Sequence, residues 1–150
     1  MRVSEFGFVR TPLRRELVDL ILRGEKTAGA ALLVDYESEG EELPPVGERS
    51  VLLDYHDEPV GVIETTAVTV VRAAEVDEQF ARDEGEGFES VADWRVAHER
   101  FFGLSTETYR EFTGDPNWTF DDDAMVVCER FKLVRTLQSR AARRRESAAR

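Results

Sequence analysis

The feature that most constrains the fold is a long segment with a uniform preference for extended structure. Residues 60–72, VGVIETTAVTVVR, contain valine, isoleucine and threonine throughout, and β-branched side chains favour strands. A shorter segment of this kind, residues 50–55, precedes it across the polar stretch HDE at 56–58, and a third occupies residues 125–137. These segments predict strands, so part of the core is expected to come from a β-sheet.

The first helix has clear signals at both of its ends. Thr11 followed by Pro12 is a typical N-cap with proline at the first helical position. Leucines at helical spacing follow, and Gly24 can adopt the left-handed conformation that ends a helix. We therefore predict a helix over about 12–23. Three further helical patterns lie at residues 76–83, 90–103 and 106–112.

The order of these segments predicts the fold class. Residues 30–36, AALLVDY, form a short apolar run that predicts a buried strand, and the acidic, proline-containing run after it predicts a loop. Strands and helices do not alternate regularly, as they would in a parallel sheet. This pattern predicts an α+β fold whose strands close into a small barrel. We expect one domain, residues 1–137, followed by an arginine-rich tail, 138–150, that is a frayed helix or disordered.

Charge and composition exclude several classes of protein. The 150 residues carry a net charge of −11; the segment 138–150 contributes +4, which leaves −15 for residues 1–137. Proteins that wrap nucleic acid normally present basic faces, so this balance argues against such binding. The one cysteine, Cys128, excludes an internal disulfide. No segment resembles a signal peptide or a membrane span, and the expected location is cytoplasmic without membrane association.

Metal and cofactor sites are not predicted. His56 and His98 are 42 positions apart and lack neighbours at metal-ligand spacing. The run Asp121–Asp123 could hold magnesium, but consecutive aspartates are a weak signal. No glycine-rich segment has the lysine and spacing of a P-loop. We therefore expect neither a metal nor a cofactor.

The predicted helix 90–103 carries two residues that allow more than one interpretation. Trp94 shares a helical face with Ala97 and Phe101, which favours a place in the core over base stacking. His98 lies on the same helix and is most simply a half-buried core residue or a surface residue. Both are predicted to be structural.

Lys26 and Glu84 attract attention for different reasons. Lys26 stands between two glycines in GEKTAG, and it is not needed to end the first helix because Gly24 does so. Glu84 lies one helical turn beyond Phe80, so its carboxylate can point inward beside the core. A half-buried carboxylate needs a partner, and a lysine is the obvious candidate.

Several separated stretches resemble the family of ASC-1 homology (ASCH) domain proteins. In order along the chain they are FGFVRTP, GEKTAG, LPPVGERSVLLDYHDEPVGVIETTAV, EVDEQFARDEGEGFESVADWRVAHERFF and MVVCERFKLV, and they cover roughly residues 6–134. The resemblance implies a PUA-like fold, a small β-barrel flanked by helices. It further implies a cleft in which the glycine–lysine–threonine motif faces the glutamate of the FARDEG helix.

The resemblance also assigns roles to residues. Lys26 and Thr27 match the start of the family motif, and Glu84 matches the helix glutamate. The second threonine of the motif, the nucleophile in amidohydrolase relatives, is Gly29 in this chain. We accordingly predict Lys26 and Glu84 as catalytic residues and Thr27, Gly29 and Glu86 as ligand-binding residues. Glycine supplies no hydroxyl, so amide hydrolysis is expected to be weak or absent.

Two functions remain open at this point. The first is a binding module that recognises RNA or a modified nucleoside in the cleft. The second is a hydrolase, either an amidohydrolase on acylated cytidine or a ribonuclease, that uses Lys26 and Glu84 for proton transfer. Either function predicts that the Lys26 and Glu84 side chains approach within salt-bridge distance across a pocket.

Overall fold

The protein is built around one mixed sheet. The computed structural model describes residues 2–4, 6 and 10–138. Its five strands are β1 (Arg2–Ser4), β2 (Ala28–Leu32), β3 (Arg49–Leu53), β4 (Pro59–Arg72) and β5 (Met125–Thr136). They lie side by side in the order β1-β3-β4-β5-β2. β1 runs parallel to β3, and the other neighbouring pairs are antiparallel.

Helices cover both faces of this sheet. They are α1 (Pro12–Leu22), α2 (Leu33–Glu39), α3 (Glu78–Asp83), α4 (Val91–Gly103) and α5 (Thr106–Thr113), with a 3₁₀ turn at Ala73–Glu75. Along β5, Cys128 packs into a core with α3, α4 and α5, whereas Phe131 packs into a second core with α1. Because side chains three positions apart in a strand point to opposite faces, the two cores lie on opposite sides of the sheet.

The predicted α+β class is confirmed, and the sheet shows how its shape arises. Register shifts between β4 and β5, at Val62/Ile63 and at Thr65/Ala67, mark irregularities of the bulge type, which increase strand twist and bending. Among the described residues β1 and β2 remain the two edges, so the sheet does not close completely. The tail beyond residue 138 lies outside the described residues, and its predicted boundary stays a prediction.

The first helix follows its sequence signals closely. The Thr11 hydroxyl accepts a hydrogen bond from the Arg14 backbone N–H at 3.2 Å, and Pro12 is the first helical residue. The helix ends at Leu22, and Gly24 has the left-handed φ of +77°. Among the described residues no helix is long and apolar enough to cross a membrane.

The prediction of a strand over 30–36 is wrong in its second half. The strand ends at Leu32, and residues 33–39 form α2, which stops at Gly40 in the left-handed conformation. The Tyr109 hydroxyl, on α5, donates to Asp35 Oδ1 at 3.0 Å. This contact joins residues 74 positions apart, so the apolar run itself contains no sign of it. The short strand β1 was also missed.

Trp94 packs inside the protein, as its helical position predicts, with 0% of its surface exposed. We expect Trp94→Ala to lower the free energy of unfolding by about 3–5 kcal/mol, the usual cost of truncating a large core side chain. Urea denaturation measures this change. Val96→Ala, on the same helix but 61% exposed, is the matched control and should shift stability by at most about 0.5 kcal/mol. Equal midpoints for the two variants would contradict the assignment.

Candidate functional site

A cleft of about 610 Å³ lies beside β2 and the loop that follows α3. That volume is within the range of about 300–1,000 Å³ typical of small-molecule sites. Four of the five predicted site residues line it: Lys26, Gly29, Glu84 and Glu86. The fold therefore brings together two segments that are almost 60 positions apart in the sequence.

Lys26 is buried beneath this cleft and has three acceptors. Its side chain is 3% exposed, and Nζ donates to the Ala28 carbonyl at 2.8 Å and to the Glu84 carbonyl at 3.3 Å. The third acceptor is Glu86 Oε2, at 2.9 Å. An ammonium group carries three N–H donors, so all of them are used. The group joins β2 to the 84–86 loop.

The predicted ion pair between the side chains of Lys26 and Glu84 is therefore wrong. Between these two described residues the contact runs through the Glu84 backbone carbonyl, and Glu86 supplies the counter-charge. Glu84 closes α3 as its C-terminal cap, where its carbonyl is free to meet the lysine and its side chain turns toward α4. Glu86, two residues on, is the acid that reaches Nζ.

The Glu84 carboxylate is buried without a hydrogen bond from the described residues. It is 1% exposed, and neither oxygen has a donor in hydrogen-bond geometry. His98 Nε2 lies 3.2 Å from Oε2, although the nitrogen is not aligned for a hydrogen bond to that oxygen. Burying a carboxylate with unsatisfied oxygens is costly. Such groups are rare in cores and common where a ligand binds.

A backbone carbonyl beside His98 determines that Nδ1 of the ring carries a hydrogen. Nδ1 lies 2.8 Å from the Trp94 carbonyl. A carbonyl can only accept, so Nδ1 carries a hydrogen and donates. Nε2, the other ring nitrogen, faces the Glu84 carboxylate at 3.2 Å. The ring also stacks on Trp94, with centroids 4.1 Å apart, which fixes its orientation.

His98 is the site residue that the sequence analysis missed. We predicted a half-buried core residue or a surface residue; it is half-buried, and it lines the cleft. Its place four residues after Trp94 puts the two side chains on one helical face. That spacing was the sequence signal that His98 lies on a buried helical face. A histidine on a buried face next to an unpaired glutamate is a common acid/base arrangement.

Burial also perturbs Glu86. Removal from water raises the pKa of its carboxyl group, and the negative charge of Glu84 acts in the same direction. The ammonium of Lys26 opposes both effects. The net pKa is above the ordinary value, so the ion pair with Lys26 is more easily neutralised than an exposed one.

The other two predicted residues have different surroundings. Thr27 is not among the residues that line the cleft; its N–H and hydroxyl both donate to the Asp83 carbonyl, at 2.9 and 3.3 Å, and so attach β2 to the end of α3. Gly29 does line the cleft, and Phe6 and Phe131 are its nearest side chains. Thr27 therefore has a structural role next to the site, since it holds the start of β2 against the end of α3.

Gly85 allows the 84–86 loop to lie directly on the chain at Lys26. Its φ is +70°, in the left-handed region that glycine adopts readily. A Cβ at this position would overlap the Glu25 carbonyl oxygen and come within 2.8 Å of the Lys26 Cα. This close approach is what brings the Glu84 carbonyl within reach of the lysine.

Negative charge dominates the cleft. Two of the residues that line it are permanently cationic, Arg2 and Lys26. Six are carboxylic acids: Asp35, Glu39, Glu41, Glu84, Glu86 and Glu129. No group of three or more histidine, cysteine, aspartate or glutamate side chains that could hold a metal ion occurs in the part of the chain that the structure describes.

Comparison with known proteins gives consistent matches. A family model described as ASCH domain matches residues 5–135. A crystal structure of an ASCH domain from Lactobacillus crispatus JV V101 is 34% identical over 89% of this chain and 79% of its own, with a TM-score of 0.75. A crystal structure of a protein from Enterococcus faecalis V583 is 30% identical over 91% and 77%, with a TM-score of 0.78. None of the curated proteins is significantly similar in sequence to the chain.

The close approach at Gly85 leads to a stability prediction. Gly85→Ala should unfold at a lower urea concentration than Gly87→Ala, with a difference of about 1–3 kcal/mol from the overlap with the Glu25 backbone. Gly87 is the matched control because it also has a left-handed φ, +89°, but has no heavy atom within 4 Å of an added Cβ. Equal stabilities would show that the loop does not need to lie on the Lys26 backbone.

Proposed function

Because the chain belongs to the ASCH domain family, with its PUA-like fold, we propose that the cleft binds a modified nucleoside, free or within RNA. The observation that carries the proposal is the Glu84 carboxylate, 1% exposed and without a hydrogen bond from any described residue, beside His98 in an open cleft. A ligand that donates an N–H or O–H to Glu84 would satisfy it.

The charge of the cleft favours an uncharged ligand. Six carboxylates and two permanent cations line it, and each phosphate brought among them would be repelled. Phosphate neutralisation by Lys and Arg normally supplies most of the affinity for RNA. A nucleoside avoids this repulsion, since its base and sugar offer hydrogen-bond donors without negative charge. The free nucleoside is thus better supported than a length of RNA.

The alternative function is hydrolysis of an acylated cytidine at the same place. His98 and Glu84, with Nε2 and Oε2 3.2 Å apart, are an acid/base pair that could activate water and protonate a leaving amine. With glycine at position 29 the nucleophile has to be water, because no side-chain hydroxyl is present there. Lys26 then acts as a positioning residue for the loop, since its three N–H groups already have acceptors. A ribonuclease is less well supported, because its substrate brings phosphates among the carboxylates.

Binding and turnover assays separate these functions. We expect N4-acetylcytidine to bind more tightly than an unmodified single-stranded RNA oligonucleotide, as measured by isothermal titration calorimetry. Glu84→Gln should weaken nucleoside binding about tenfold or more, the usual effect of a hydrogen bond to a charged group. Lys26→Ala should weaken it as well and also lower stability. Cytidine released on prolonged incubation, and lost in Glu84→Gln, would support the hydrolase.

Glu99→Gln is the matched control for this experiment. It makes the same change on α4, where Glu99 pairs with Arg95 at the surface, and it should bind as the unmodified protein does. RNA bound more tightly than the nucleoside, and equally by Glu84→Gln, would contradict the proposal.

Installing the missing hydroxyl tests the acyl-transfer chemistry directly. An added Cβ at Gly29 would meet Phe6 at 3.5 Å and Phe131 at 3.8 Å, which are ordinary contacts. We expect Gly29→Thr to create or raise hydrolysis of N4-acetylcytidine, followed as cytidine release by liquid chromatography. Gly29→Val has the same shape without the hydroxyl and should not gain activity. Equal rates in the two variants would show that position 29 does not supply the nucleophile.

A further inference from the structure

We infer that the cleft contains a second binding site, on the opposite face of the sheet from Glu84 and His98, which takes the ammonium group of an aliphatic amine. Its polar residues are Glu129, Ser50 and Tyr36, all of which line the cleft. These residues are separate from the proposed nucleoside site, so the two sites can be tested independently.

The residues that line the cleft come from both faces of the sheet. Phe131 and Leu52 belong to the core that packs against α1. Glu129 precedes Phe131 by two positions on β5, and Ser50 precedes Leu52 by two on β3. Side chains two apart in a strand point to the same face, so Glu129 and Ser50 lie on the α1 side. His98 stacks on a tryptophan of the other core.

Ser50 is a buried polar residue without a partner. It is 5% exposed, yet it lines the cleft. Directly opposite it on β4 lies Ile63, whose side chain has no polar atom. Among the described residues nothing is hydrogen-bonded to the Ser50 hydroxyl. Buried hydroxyls usually have a partner, so an unpaired one that faces a cavity points to a ligand.

Glu129 supplies a fixed carboxylate without a counter-ion. Its Oε2 accepts a hydrogen bond from the Thr65 hydroxyl at 2.7 Å, which orients the group. Burial raises the pKa of Glu129, whereas the Thr65 hydrogen bond and the charge of Arg2 lower it. Arg2 itself is bound to Glu48 Oε1 at 3.0 Å and to the Glu42 carbonyl at 3.3 Å. No described cation forms a salt bridge with Glu129, and a ligand cation would supply the missing charge.

Tyr36, on α2, adds a third acceptor. Its pKa is raised to about 12, first by burial and then by the negative charge of Glu129, so the phenol keeps its proton and its oxygen accepts through a lone pair. The described part of the chain gives this hydroxyl no hydrogen-bond partner. An ammonium group has three N–H donors and no acceptor. Glu129 Oε1, Ser50 Oγ and Tyr36 Oη offer it three acceptors.

The surroundings favour an aliphatic diamine over a single ammonium ion. Leu13 and Leu17 of α1 and Ala31 of β2 line the cleft and can cover methylene groups. Glu39 and Glu41 also line it and are exposed. The charge of Glu41 contributes to the raised pKa of the Tyr36 hydroxyl, so this carboxylate lies within electrostatic reach of the second site. A second ammonium group can meet these exposed acids, whereas an anionic ligand would be repelled.

A charged probe and its neutral counterpart test the inference. They are 1,4-diaminobutane and 1,4-butanediol, which has the same carbon chain without the charges. We expect the unmodified protein to bind the diamine about tenfold or more tightly, as measured by isothermal titration calorimetry. Glu129→Gln, which keeps an acceptor for Thr65, should remove most of this preference. Ser50→Ala should weaken diamine binding about threefold or more without lowering the melting temperature, since its hydroxyl has no partner in the described protein.

The control is Glu64→Gln, the same change on β4, where Glu64 pairs with Arg49 and Lys132. It should bind the diamine as the unmodified protein does, which separates a specific site from the general attraction of a cation to a chain of net charge −11. Equal affinities for the diamine and the diol, or equal losses in Glu129→Gln and Glu64→Gln, would overturn the inference. If Glu129→Gln does not fold, full affinity in Ser50→Ala would overturn it instead.

Discussion

The buried ammonium of Lys26 joins the two chain segments that carry the cleft. Burying this charge is costly unless its donors are satisfied, and here each N–H has an acceptor: two backbone carbonyls and one carboxylate. The carbonyls belong to β2 and to the end of α3, so the ammonium fixes the distance between them. Gly85 makes this geometry possible because it has no Cβ to collide with the backbone at Glu25.

Because all three N–H groups of Lys26 have acceptors, the hydrogen bonds of this lysine decide which other groups can meet a ligand. A group with three acceptors at 2.8–3.3 Å has no donor left for a ligand unless Glu86 releases it. Glu84, in contrast, has a buried carboxylate whose neighbour in the cleft is His98. In our proposal the lysine is a positioning residue for the 84–86 loop, and Glu84 and His98 are the acid/base pair.

The open edge of the sheet gives the cleft its second wall. β2 pairs with β5 on one side only among the described strands, so ligands can approach both its edge and its face. The small residues Gly29, Ala30 and Ala31 line this approach. Glu129 and the acids of α2 make the far end negative, which supports the proposal of an uncharged ligand.

The sequence by itself determined the features that depend on neighbours along the chain. The capping of α1 by Thr11, its end near Gly24 and the strand over residues 60–72 follow from local hydrogen bonds and β-branched side chains. The α+β class and the cleft membership of Lys26 and Glu84 were also predicted. Tertiary structure alone decided the partners: Glu86 for Lys26, 60 positions away, and His98 for Glu84. Such pairs form only when the folded backbone excludes water and sets distances, and neither spacing nor propensity encodes those distances.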